Sequence, residues 1–208
     1  MATHHMSSAE VALEGGYDAL YAARPPWEIA GPQPALAAVA EAGLVRGRVL
    51  DAGCGTGEHA LMAAVYGGDA LGVDLSEAAL TQARAKAGER GLAARFVRHD
   101  VLKLGDLGER FEVVLDSLLF HGFHGPDRAC YVESLAAALN PGGRLFVLCF
   151  AEEPPGRPGR VHRVTPDEIE AAFASGWRIE AIDAVTVASA LPSLPDGLRG
   201  WRAAITRI

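Results

Sequence analysis

Glycine occupies every second position of Gly53-Cys54-Gly55-Thr56-Gly57, directly after the run Val49-Leu50-Asp51-Ala52 and before the amphipathic residues that begin at Glu58. That order reads as a buried strand that turns sharply into a helix. Glycine allows positive φ and lets a ligand approach the backbone without meeting a Cβ. The helix start beyond it offers unpaired N–H groups. The loop is therefore a ligand cradle at the end of a first strand. The dinucleotide fingerprint needs G-x-G-x-x-G. Here Glu58 stands where the third glycine belongs, and a carboxylate there would repel a pyrophosphate. No Lys-Ser/Thr pair follows the loop, so a Walker-type phosphate loop is excluded as well.

The rest of the chain alternates strand and helix patterns. Strands are expected at 48–52, 70–74, 94–98, 111–116 and 144–150, with helices at 57–66, 76–90 and 127–139. Ser76 is a good N-cap and Gly91 a good helix stop. Thr165-Pro166-Asp167-Glu168 is a capping box with proline at the first helical position, and that helix ends near Ser175-Gly176. Two further strands, at 178–187 and 201–207, have no helix between them, so one of the pair is expected to run antiparallel. Helices at 9–22 and 34–43 precede the first strand, separated by Arg24-Pro25-Pro26-Trp27. This is an α/β pattern with a mostly parallel sheet covered on both faces.

A length of 208 residues suits one domain with a sizeable core. Residues 1–8 include His4-His5-Met6 and read as a tag remnant; 9–208 read as a single domain. The net charge is -7 with no basic block, which argues against a nucleic-acid partner. No apolar run is long enough to span a bilayer, and no signal-type leader is visible. Cys54, Cys130 and Cys149 are odd in number and widely spaced, which fits a reducing cytoplasm better than disulfides and gives no metal-ligand spacing. No metal site is expected, and the chain is expected to be a monomer or homodimer.

Four further strings join the glycine loop. Gly72-Val73-Asp74-Leu75-Ser76 ends the second strand about twenty residues after the loop, where an acidic residue can accept from two ribose hydroxyls. Leu75 can lie against an adenine face. His99-Asp100-Val101-Leu102 ends the third strand, Asp116 to His124 follow the fourth, and Leu139-Asn140-Pro141-Gly142-Gly143 precedes the fifth. In this order and spacing, with Asp51 ahead of the glycines, they resemble class I S-adenosylmethionine (SAM) methyltransferases over residues 48–150. The flanking strings Trp27-Glu28-Ile29-Ala30-Gly31-Pro32-Gln33-Pro34, Phe120-His121 and Trp201-Arg202-Ala203-Ala204-Ile205-Thr206-Arg207 look like a bacterial small-molecule branch. That branch resembles thiol and thiopurine methyltransferases and enzymes methylating heterocyclic toxins such as hydroxyquinolones.

The resemblance implies a Rossmann-like three-layer sandwich with a seven-stranded, mostly parallel sheet and one antiparallel strand near the C-terminus. It implies SAM as cofactor and S-adenosylhomocysteine (SAH) as product. Cofactor contacts are expected from Asp51, Gly53, Gly55, Gly57, Asp74, Leu75, Asp100, Val101 and Asp116. Tyr17, Tyr21 and Trp27 are expected to cover the cofactor as part of an N-terminal lid over residues 9–43, since aromatic faces attract a sulfonium. His121 and His124, in the loop after the fourth strand, are the candidate catalytic residues, able to deprotonate or orient an acceptor. His59 reads as a packing residue or a support for the SAM loop, His99 as a strand-end residue and His162 as a surface residue. The expected reaction is methyl transfer to nitrogen, oxygen or sulfur of a small, aromatic or heterocyclic acceptor, with a thiol or halide as alternative acceptor. A SAM-binding module without transferase activity is the competing class, and a nicotinamide dehydrogenase is disfavoured by the missing glycine.

Overall fold

The structure is a computed structural model, and it describes residues 16–22, 25, 27–152 and 162–208. The tag-like residues and the first part of the expected 9–22 helix lie outside the described residues.

Seven strands form one sheet: β1 (Arg48–Ala52), β2 (Asp69–Asp74), β3 (Ala94–Arg98), β4 (Phe111–Ser117), β5 (Leu139–Phe150), β6 (Trp177–Val187) and β7 (Leu198–Arg207). Their order is β3-β2-β1-β4-β5-β7-β6. Strands β1 to β5 pair in parallel, while β7 runs antiparallel to both β5 and β6. This is the expected seven-stranded sheet with one antiparallel strand. Among the described residues six α-helices flank it: α1 (Gly16–Ala22), α2 (Pro34–Glu41), α3 (Glu58–Val65), α4 (Glu77–Arg90), α5 (Gly125–Ala138) and α6 (Pro166–Ala172).

Strand alternation divides the core between the two faces. Leu50, Leu71, Val114 and Leu145 point to one face, where they meet Tyr131 and Leu135 of α5 and Ile169 of α6. Their neighbours Val49, Ala70, Val113 and Phe146 point to the other, against Leu36 of α2, Leu61 of α3 and Leu80 of α4. Burying each such large apolar side chain stabilises the fold by roughly 1.5–3 kcal/mol.

The ends of the helices follow the sequence cues. Ser76 Oγ accepts from the N–H of Ala79 at the start of α4, and Gly91 closes it at φ +63. Thr165 and Glu168 complete the capping box of α6. Two segments differ from the sequence reading. Val101–Leu107 forms a 3-10 turn that packs on α5, where no element was expected. Asn140 to Gly143, expected as a turn before β5, lie inside that strand. Phe111 pairs with Leu139 and Val113 with Arg144, so residues 140–143 bulge out of an otherwise continuous strand.

The strand order reverses between β1 and β4, both of which end on the same edge of the sheet. At such a switch point, loops from adjacent strands leave in opposite directions and open a crevice beyond the carboxyl ends.

Candidate active site at the carboxyl edge

Two loops meet across this crevice. After β1, Gly53, Gly55 and Gly57 take φ of +68, +51 and +88. After β4, Leu118 also takes positive φ, +65, and its N–H donates to Leu148 O at 2.9 Å. That conformation costs a non-glycine residue roughly 1–2 kcal/mol, and it turns Leu119 onto the glycine loop. A Cβ built on Gly53 would lie 2.8 Å from Leu119 Cδ2. On Gly57 it would lie 2.7 Å from the Phe96 ring, and on Gly55 2.6 Å from the Tyr21 hydroxyl. Gly53 thus admits a post-β4 side chain, Gly55 an N-terminal aromatic and Gly57 the core.

The acidic residues divide into two kinds. Asp51 is 1% exposed; its Oδ2 accepts from the N–H of Ala60 at 3.0 Å, and its Oδ1 is buried with no partner among the described residues. Burial, aided by the charges of Asp74 and Asp116, pushes its carboxyl up to about 7. Asp74 is half-buried at the end of β2, with Oδ2 accepting from the Gly55 N–H at 2.8 Å and Oδ1 from the Ser76 N–H at 2.9 Å. Burial raises its pKa as well. The Leu75 backbone bonds the same carboxylate, which leaves it room to accept from one further donor. Asp116, by contrast, spends its carboxylate inside the protein. Oδ1 accepts from Leu119 N and Phe120 N, and Oδ2 from the Tyr131 hydroxyl at 2.8 Å. Fully buried, it is pushed up to about 6. Its contacts make it a brace for the post-β4 loop, where the sequence reading placed it among the cofactor contacts.

Leu75 is half-buried, and Asp100 caps the 3-10 turn by accepting from Leu102 N at 2.9 Å. Val101 points into the core, and its carbonyl accepts from Ser134 Oγ at 2.7 Å.

The N-terminal segment lies on these loops. Asp18 of α1 accepts from Ser76 Oγ at 2.6 Å and from Ala78 N at 3.2 Å, so it caps α4 from outside. Tyr21 sits over Gly55, and burial beside Asp74 drives its hydroxyl pKa well above the ordinary tyrosine value. Glu28 accepts from Thr56 Oγ1 at 2.5 Å, and Lys86 of α4 reaches the same hydroxyl at 2.6 Å. Gln33 pairs its side chain with both backbone groups of Ala188, while its N–H donates to His59 Nε2 at 3.0 Å. Burial holds His59 down to about 4, hence neutral. Tyr17 is half-buried, and Trp27 is 39% exposed at the outer edge.

Glu58 needs a correction. It was expected to bar a pyrophosphate by its charge. Its carboxylate is turned to α4, in ion pairs of 2.8 Å with both Lys86 and Arg90. Its charge is therefore largely balanced within the protein, and it weakens the case against a nucleotide on electrostatic grounds.

A second group of side chains gathers on the β4–β5 side. His121, in the 3-10 turn Phe120–Gly122, stands 5.1 Å from the Phe150 ring at the end of β5. Its Nδ1 is buried without a partner among the described residues. Burial, with His162, His124 and Arg128 nearby, holds it down to about 4. His124 is exposed at the start of α5 and meets the His162 ring edge-on at 4.8 Å. His162, read from sequence as a surface residue, is half-buried and bonded to Glu168 Oε1 at 2.8 Å. Arg128 lies over the Phe120 ring, donates to Phe123 O and reaches the same Glu168 oxygen at 3.2 Å. Among the described residues, no group of three or more His, Cys, Asp or Glu is placed to hold a metal ion.

These positions can be set beside known proteins. The family described as "Methyltransferase domain" matches residues 49–143. The 2-heptyl-1-hydroxyquinolin-4(1H)-one methyltransferase of Mycobacteroides abscessus is 38% identical over 164 residues, 77% of this chain and 72% of that protein. The chain belongs to the SAM-dependent methyltransferases. A solved structure from work on conversion of a disulfide bond into a thioacetal group during echinomycin biosynthesis shares 37% identity at a TM-score of 0.83, covering 92% of this methyltransferase and 91% of that chain. The Burkholderia thailandensis 1,6-didemethyltoxoflavin-N1-methyltransferase, solved with 1,6-didemethyltoxoflavin and SAH, shares 25% identity at a TM-score of 0.66 over 84% and 77% of the two chains.

The residues present fit SAM. The unpartnered Asp51 Oδ1 is an acceptor waiting for a donor, as an ammonium provides. The side-chain-free surface of the glycine loop allows close approach, and Asp74 keeps acceptor capacity for a hydroxyl.

Proposed function

We propose that this methyltransferase acts on a small planar heteroaromatic acceptor, seated between the post-β4 loop and the end of β5, and methylates an oxygen, nitrogen or sulfur on it. The observation that carries this reading is His121, with an unpartnered buried nitrogen beside the Phe150 ring, on the loop that also packs on the glycine cradle. The names of the hydroxyquinolone and toxoflavin relatives support it, since both act on flat heterocycles.

In this reading Asp51, Asp74 and the glycine loop hold SAM, with Leu75, Asp100 and Val101 around the adenine end, and the segment from Tyr17 to Gln33 closes over it. When bound, SAM supplies a methyl carbon already activated by a good sulfonium leaving group. The protein then has to align and to exclude water. Tyr21 and Leu119 close two sides of the cradle. Asp116 fixes the post-β4 turn through Leu119 N and Phe120 N, and so sets the position of His121. A histidine held near pH 4 is a weak proton acceptor at neutral pH. His121 therefore orients the acceptor by a hydrogen bond, and His124 stands further out. The reading also places the enzyme in the cytoplasm, a reducing setting for its three free thiols.

The test is transfer of a labelled methyl group from SAM to a panel of hydroxyquinolones, phenols, thiols, halides and heteroaromatic amines. Label in flat heterocycles, with matching release of SAH, supports the proposal. Label confined to halides or aliphatic thiols overturns it.

A further inference from the structure

Two buried nitrogens beside the acceptor position have no partner among the described residues: His121 Nδ1 and Arg128 Nη2. Arg128 is 14% exposed, and three of its contacts are fixed. Nε donates to Phe123 O at 2.9 Å, Nη1 to Glu168 Oε1 at 3.2 Å, and the guanidinium lies 4.9 Å from the Phe120 ring centre. The remaining nitrogen is a charged donor out of contact with water. Leaving such a donor unsatisfied is costly, so buried donors of this kind mark a missing acceptor.

Among the described residues, three carboxylates lie around this group: Glu168, Asp127 and Asp116, the last tied to Leu119 N, Phe120 N and Tyr131 beneath the loop. Glu168 is already spent. Burial opposes its ionisation, but bonds from His162, Thr165 and Arg128 outweigh this and hold its carboxyl at about 2. Asp127, in the first turn of α5, is the other carboxylate that acts on His124. Against these stand Arg128 and the rings of His121, His124 and His162.

We infer that Arg128, together with His121, recognises an acidic oxygen or sulfur of the acceptor in its ionised form, so that this methyltransferase selects acceptors that arrive already deprotonated. The inference rests on the transferase reading above and adds the charge state of its substrate. It accounts for an acceptor edge where His121, with its Nδ1 buried and its pKa held down to about 4, is poorly suited to take a proton. It also gives Arg128 a reason to be held rigidly by a ring, a carbonyl and a carboxylate while one nitrogen stays open. A guanidinium so fixed is a preorganised donor for an anion.

The experiment uses the full chain saturated with SAH, so that no transfer occurs. Two pairs are titrated by calorimetry: 2-heptyl-1-hydroxyquinolin-4(1H)-one against its O-methyl ether, and 4-nitrophenol against 4-nitroanisole. In the parent protein the ionisable member should bind at least about tenfold more tightly, as expected for a charged hydrogen bond. In Arg128→Gln the gap should shrink below about threefold, with the ether and SAH bound as before; Arg128→Lys should keep part of the gap. A pH series on the parent needs no variant. The preference for 4-nitrophenol over its ether should vanish as pH falls through the phenol's own pKa. A gap that survives in Arg128→Gln overturns the inference, as does a parent that binds both members equally. A parent that fails to bind SAH overturns the transferase reading itself, and this inference with it.

Discussion

Gly55 is the point where the N-terminal segment meets the glycine loop, and a single methyl group there probes both. Gly55→Ala adds two effects. At φ +51 the left-handed conformation costs an alanine about 1–2 kcal/mol wherever it occurs. The new Cβ would also stand 2.6 Å from the Tyr21 hydroxyl, so that oxygen must retreat by about 0.8 Å to reach an ordinary contact of 3.4 Å. Tyr21 cannot retreat alone, because Asp18 on the same helix is bonded to Ser76 and Ala78. A double-mutant cycle with Tyr21→Ala separates the terms. In the Tyr21→Ala background only the backbone cost remains. In the parent background, SAH affinity should fall by a further tenfold or so, a coupling of about 1.4 kcal/mol. Calorimetric titration of the four proteins gives the coupling. Hydrogen exchange locates it: amides of residues 17–28 should gain protection on adding SAH in the parent and lose that gain in Gly55→Ala. Strict additivity, with protection unchanged by SAH, would refute the idea that this segment closes over the cofactor.

Asp74→Asn should weaken SAH binding about tenfold or more and lower stability by only about 1 kcal/mol, since an amide oxygen still accepts one of the backbone bonds from Gly55 and Ser76; titration and urea unfolding measure the two effects. Asp51 should leave a pH signature in stability. Its folded pKa, about 7, lies above its ordinary value of 3.8, so its contribution is fully present below pH 4 and is lost as pH rises to 7, at about 1.4 kcal/mol per unit. Asp51→Asn should therefore gain stability relative to the parent across that window while losing SAH affinity; parallel unfolding curves from pH 4 to 8 would contradict the buried, unpaired carboxylate. His121→Ala should lower kcat for the true acceptor and leave SAH affinity unchanged, and the loss should be flat between pH 6 and 9 because the ring stays neutral there. A loss that follows a titration near pH 6.5 would restore the role of general base.

The parallel core of the fold was legible because its signals are local. Glycine spacing, strand-end aspartates and the Ser76 and Thr165 caps each fix a backbone feature within a few residues. The Val101–Leu107 turn was missed because it has no long apolar period; it exists through contact with α5, as Leu104 N donating to Ser134 Oγ shows. The candidate site residues divide in the same way. Asp51 and Asp74 are marked by position beside the glycines. Arg128, Glu168 and His162 come together only because α5 and α6 pack side by side, and no spacing in the sequence joins residues forty apart. Thr56, Glu28 and Lys86 were likewise invisible as a group, since a threonine within a glycine loop carries no mark of its partners. The different use of Asp116 shows the limit of motif position. Strand end placed it at the right edge, but burial and Tyr131 decided which way its carboxylate is spent.

The central claim is that the Asp51-to-Gly57 cradle is shaped for SAM rather than for a dinucleotide. Calorimetric titration of the purified full chain with SAH and with NAD tests it most directly. One SAH site per chain, with no heat from NAD, is the predicted result. Heat from NAD without heat from SAH would contradict the account.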